Sequence, residues 1–161
     1  MPTSEDILIA DVITTDLAGE TFSQTVDVER LWVADWDLKK ELVGTIRVGV
    51  WPAEASGQNW ERDSVLRTYT IGIGITTKVA KATAADIDAL ADLVDEIRKH
   101  LELAGVAIPS GKGFDFMGWE YLVRFSDERL DRHKDDAGVV TYTGLFASAL
   151  TLVYQSTDDE E

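Results

Sequence analysis

The chain has 161 residues, with thirty Asp and Glu against fifteen Lys and Arg, a formal charge of −15 and no cysteine. Disulfides, thiol nucleophiles and thiolate metal sites are therefore excluded, and a surface of this sign disfavours a conventional nucleic-acid-binding role. A single domain of this length buries roughly 70% of its unfolded-chain surface without a staple, and no composition break marks a second one, so the reading is one domain over 1–155 and an acidic, disordered, solvating tail over 156–161.

Residues 4–19, SEDILIADVITTDLAG, read as a short helix: Ser4 as cap, Glu5 and Asp6 at its positive end, Ile9, Val12 and Ile13 as a stripe, Gly19 as its end. FSQTVDVERLWV (22–33) alternates as a strand with Phe22, Val26 and Val28 on one side, and 34–44 is a connector. GTIRVGVW (44–51) is a second strand, with Ile46, Val48 and Val50 sharing a face. PAEASGQNWERDS (52–64) reads as a long turn, from its Pro, Gly and Asn. VLRTYTIGIGITTK (65–78) alternates: Val65, Tyr69, Ile71, Ile73 and Ile75 form one face, and Thr and Gly dominate the other. The period then changes from two to 3.6. In TAADIDALADLVDEIRKHLELAG, Ile87, Leu90, Val94, Ile97 and Leu101 recur at helical steps with Ala91 beside them. A Gly/Pro loop follows, then a strand over 116–125 with Met117, Trp119, Tyr121, Val123 and Phe125 on one face. SDERLDRHKDDAG (126–138) is a charged excursion. The last strand, 140–155, is apolar on both faces in its middle, as a central strand covered on both sides would be. The expected fold class is α+β, two-layer, with a mixed or antiparallel sheet of about five strands packed by one long and one short helix in the order α-β-β-β-α-β-β.

Residues that carry chemistry are scarce. His100 sits with Arg98 and Lys99 where cations complement the end of the long helix, and His133 lies in a solvated run of Asp and Lys. No Gly-x-Ser-x-Gly spacing and no Ser/His/Asp grouping is visible. Gly72-Ile-Gly74 lies inside a strand, where a close-packed neighbour explains it, and Gly111-Lys-Gly113 lacks the rest of a phosphate loop. The acids Asp127, Glu128, Asp131, Asp135 and Asp136 do not fit a calcium loop, since Arg129 would take its third position and its sixth has no glycine. The expectation is a non-enzymatic protein with no catalytic residue, no cofactor and no metal. Two features look purposeful. Asp88, Asp92 and Glu96 stand at successive i,i+4 positions, where like charges repel. They form either a solvated outer face, partly offset by Asp95 with Lys99, or an acidic wall facing something that must not adhere. Trp36, Trp51 and Trp60 flank turn-like segments, either as lids on their own core or as anchors at a protein interface.

With this order in view, the chain resembles the tail terminator (tail-completion) proteins of long-tailed, siphophage-type bacteriophages. The matching features are the N-terminal helix, the Phe-started strand with Leu31-Trp-Val-Ala-Asp-Trp36 after it, and the Val48-Gly-Val-Trp-Pro52 step. Beyond these come the Tyr69–Ile75 strand, Asp92-Leu-Val-Asp-Glu-Ile97 in the helix, and Leu145–Tyr154. The resemblance covers roughly 5–155. It implies a structural virion protein of the tail and neck, made in the bacterial host cytoplasm. As a homo-hexameric ring it would cap the tail tube, stop tube polymerisation and join a head-completion (connector) protein. DNA would pass through its lumen without specific binding, and Asp88, Asp92 and Glu96 would then face that lumen. Another neck component, or a small acidic binding or inhibitor module, remains an alternative. No signal peptide and no apolar run of the ~20 residues needed to cross a bilayer is visible, so no membrane partner is expected.

Overall fold

Apolar residues at every second position need a cover on one side only, and that requirement sets the architecture. The computed structural model describes residues 4–32, 44–61, 64–104, 114–124 and 130–159. The elements in chain order are α1 (Glu5–Gly19), β1 (Val26–Arg30), β2 (Ile46–Glu61), β3 (Ser64–Ala82), α2 (Ala84–Ala104), β4 (Asp115–Arg124), β5 (Leu130–Lys134) and β6 (Val140–Asp159). The fold is α+β, with two helices and one mixed sheet of six strands among the described residues.

Strand order is β1-β2-β3-β6-β4, with β5 also paired to β6. β1 and β2 run parallel, and every other pairing is antiparallel. β6 is central, as its doubly apolar middle suggests. β3 borders one side, and β4 and then β5 share the other. The register places Val50, Ile73 and Leu150 on one rung, and Val48 and Ile75 on a neighbouring rung with Ser148. That face is the core. Ile71, Ile73, Ile75, Val50, Leu150 and Leu152 are essentially sealed beneath Ile9, Ala10, Ile13 and Leu17 of α1 and Leu90, Leu93, Val94, Ile97 and Leu101 of α2. α1 packs on β1, β2 and β3, and α2 on β3, β4 and β6.

Local signals and tertiary pairing disagree in several places. The expected turn at 52–64 is strand: β2 continues to Glu61, antiparallel to β3, with irregularities after Pro52 and after Asn59. Proline is tolerated there because β1 covers β2 only as far as Val50, whose carbonyl accepts the Leu31 N–H at 2.7 Å. The charged excursion contains β5, a short edge strand whose Leu130 packs against the core while Asp131, Arg132, His133 and Lys134 are exposed. Its hairpin to β6 is shaped by Asp135, whose carboxylate accepts the N–H groups of Ala137 and Val139, and by Gly138 at φ +82°. Residues 156–159 of the expected disordered tail are strand instead, because β6 pairs with β3 as far as Asp159 opposite Ser64, and 160–161 lie outside the described residues. β1 is shorter than the 22–33 expected. In β4, irregularities at Met117 and Glu120 break the two-residue alternation, and Gly118 takes φ +102°. Of the face expected for 117–125, Phe125 and the side chains of Trp119, Tyr121 and Val123 lie outside the described residues. In α1, Ser4 is the cap residue but makes no side-chain cap bond, and the buried stripe is Ile9, Ala10, Ile13 and Leu17 rather than one through Val12.

The sheet face away from the helices carries Gly49, Gly72 and Gly74. Trp51 sits directly opposite Gly72 and lays its indole over it: a Cβ at Gly72 would fall 2.5 Å from Trp51 Cζ2. Leu31 lies over Gly49 in the same way. Gly72 thus makes room for a close-packed side chain, as its placement inside a strand predicted. Gly72→Val is expected to destabilise the protein by about 1–3 kcal/mol through overpacking, read as a lower urea midpoint. Trp51→Ala in the same chain should recover part of that loss.

Candidate functional site

α2 begins with a reciprocal cap. Asp86 Oδ2 accepts the Thr83 N–H at 2.9 Å, and Thr83 Oγ1 accepts the Asp86 N–H at 3.3 Å. The helix then presents Leu90, Leu93, Val94, Ile97 and Leu101 to the sheet, which turns Asp88 and Asp92 to solvent. Among the described residues neither forms an ion pair. Glu96, the third acid of the strip, is engaged: its Oε1 accepts the Ser23 N–H at 2.9 Å and its Oε2 the Ser23 hydroxyl at 2.7 Å. Gln24 Nε2 donates to the Ala89 carbonyl at 3.2 Å, so the segment before β1 is clipped to α2 at two places. The strip is thus a free pair of carboxylates followed by a structural one. Beside it, Arg98 binds Asp95 at 3.0 Å and Glu102 at 2.7 Å, and Lys99 lies 3.5 Å from Asp95. The Arg98 hydrogen bond holds the Asp95 carboxyl below its ordinary value.

His100 lies a full turn before the end of α2, which has no basic residue in its last turn. The expected dipole role is corrected accordingly. His100 Nε2 is 2.7 Å from Asp16 Oδ2 on α1, Nδ1 is 3.9 Å from Glu20, and Phe22 meets the ring edge-on at 5.7 Å. His100 clasps the two helices together. His133 is exposed on β5 and bonds Thr143 across the strand pair at 2.9 Å.

The tryptophans separate by environment. Trp51 is half-buried over Gly72, a lid on its own sheet. Trp36 lies outside the described residues, and Trp60 is on β2 with its side chain outside them. The tryptophan most open to solvent among the described residues is Trp32, 61% exposed, with the Arg30 guanidinium 4.3 Å over its ring. Sequence reasoning grouped it with a strand. It lies two residues past Arg30, the last paired residue of β1. Asp127, Glu128, Lys112, Gly111 and Gly113 lie outside the described residues. Among those described, no three His, Asp or Glu side chains are grouped to hold a metal ion, and no helix is long and apolar enough to cross a membrane. A shallow hollow near the start of α2 is lined by Ile46, Val79, Leu90, Lys78, Lys81 and Asp86, whose carboxylate is already bonded in the helix cap.

At the N-terminus of α1, the buried Tyr69 donates its hydroxyl to Glu5, which also lies 3.9 Å from Arg67. Burial, and then the hydrogen bond to Glu5, push the Tyr69 phenol up to about 12. Burial also raises Tyr154, with the Asp16 charge adding to it. This sequence matches no protein-family model, and no curated protein matches it significantly.

Two measurements check these contacts. Because the folded-state value of Tyr69 lies above its ordinary 10.0, its contribution to stability is fully present below pH 10 and is lost as pH rises toward about 12. Tyr69→Phe should therefore remove a late phenolate absorbance transition near that pH and flatten the alkaline fall in stability. His100→Ala is expected to cost about 1.5–3 kcal/mol, the range for a hydrogen bond to a charged partner. Adding Asp16→Asn to it should cost little more, because the two side chains act as one contact.

Proposed function

We propose that the protein is a non-enzymatic structural component that assembles as a ring on the end of a phage tail tube, joins it to the head side and leaves a channel for DNA. The single observation that carries this reading is the free carboxylate pair Asp88 and Asp92, held outward on a rigid helix of a chain with net charge −15. A lumen lined by such pairs repels the phosphate backbone, so DNA slides past without adsorbing. Further support comes from the segments that resemble tail terminators. Val48–Pro52, Tyr69–Ile75, Asp92–Ile97 and Leu145–Tyr154 fall on β2, β3, α2 and β6, which pack around one core.

A second reading, an acidic module that masks a basic partner, is favoured by the same charge and differs in assembly. Light scattering over a concentration series, with electron microscopy of the protein mixed with purified tail tubes, separates the two. The ring reading expects closed rings, alone or seated on tube ends. A strict monomer that leaves tubes bare and free to elongate would sink it. The electrostatic part has its own test. Asp88→Lys with Asp92→Lys should turn a protein that does not retain DNA at moderate salt into one that does, with retention falling steeply as salt rises.

A further inference from the structure

Among the described residues, β2 beyond Pro52 has no partner on the side away from β3, and β4 has none on the side away from β6. These two open edges lie at opposite borders of one sheet and overlap in height over three rungs: Glu54 is level with Thr70, Val153 and Gly118, Ala55 with Tyr69, Tyr154 and Phe116, and Ser56 with Thr68, Gln155 and Asp115. β2 is antiparallel to β3, β3 to β6, and β6 to β4. β4 therefore runs opposite to β2, and a second copy placed edge to edge would continue the antiparallel alternation without a break. We infer that the free edge of β2 over Glu54–Asn59 pairs with the outer edge of β4 in a second copy of this chain. The inference rests on the ring reading above and names the contact that would close the ring.

The direction of the backbone groups agrees. The Val50 carbonyl accepts from Leu31, on the side away from β3, so Val50 faces outward, as do positions whose β3 partners stay in step with Ile73. Pro52, opposite Ile71, belongs to that class, where a missing N–H leaves the β2–β3 ladder intact. Past the irregularity at Ala53 the same class contains Ala55, opposite Tyr69, and Gly57, opposite Arg67. Among the described residues their N–H and C=O groups on this side have no strand partner. Charge selects the same place. Two copies of net charge −15 repel over most of their surface, yet Ala53–Trp60 carries one charge, Glu54, and Asp115–Trp119 one, Asp115. The edges are different strands, so the contact is heterologous and closes by rotation. The irregularities at Met117 and Glu120 keep the usable part of β4 short, which opposes indiscriminate stacking of sheets.

The chain has no cysteine, so cross-linking can test the contact directly. Cysteine is introduced at Ala53, Ala55 or Gly57 in one set of variants and at the exposed Met117 in another, then oxidised at a concentration where the unmodified protein assembles. The expected result is a cross-linked pair when a β2 variant is mixed with M117C, and a ladder ending in a closed ring when both cysteines are in one chain. Ala55→Pro removes an outward N–H and should abolish assembly while circular dichroism reports a folded monomer. Rings that persist in Ala55→Pro and give no β2-to-β4 cross-link would overturn the edge pairing and leave the ring reading standing. Failure of the unmodified protein to assemble at any concentration or on tail tubes would overturn both.

Discussion

The pairing of β3 with β6 is the contact on which the remaining elements depend. It is the longest in the sheet, running from Ser64 opposite Asp159 to Ala82 opposite Tyr142. It places Ile71 beside Leu152 and Ile73 beside Leu150, all facing the helices. Each such side chain taken out of water is worth about 1.5–3 kcal/mol, and a one-residue slip would turn the whole set to the wrong side. α2 crosses these two strands and β4, whereas α1 covers β1 and β2. The helices share one apolar cluster beneath them and are tied at the surface by the contact of His100 with Asp16.

The charge is distributed with the same economy. Arg30 reaches Asp11 on α1, Arg47 reaches Glu29, and Arg98 takes both Asp95 and Glu102. Three arginines thus serve seams between elements or steady a helix surface, and Asp88 and Asp92 are left without such a neighbour among the described residues. Exposed pairs of this kind contribute little individually. Their effect is on where the negative potential of the molecule lies. Added salt would compress that field to within a Debye length of about 8–10 Å.

Much of this was legible in the residues. Alternation at Tyr69–Ile75 and the 3.6 period at Leu90–Leu101 located β3 and α2, because one-sided burial leaves a strict period. The crowded glycine at 72 was legible as a close approach, although only the fold identifies Trp51 as the neighbour. What was hidden was decided by distant partners. Pro52, Gly57 and Asn59 look like a turn until β3 supplies a ladder. Asp131 to Lys134 look like coil until β6 supplies an edge. Glu96 looked like one of three equivalent acids, and its bond to Ser23, seventy-three positions away, has no local signature. Trp32 was overlooked because exposure depends on where β1 stops, and strand ends are poorly marked in sequence.

One consequence follows from the place of β6 in the chain. The strand at the centre of the sheet is the last of the eight elements among the described residues, and its main partner ends more than fifty positions before it begins. Closing so long a loop is slow compared with forming α2 or the β2–β3 hairpin. Until it closes, β3 offers a bare, isoleucine-rich border to any passing strand. A ribosome-bound or truncated chain would therefore be an aggregation hazard rather than a partly working subunit.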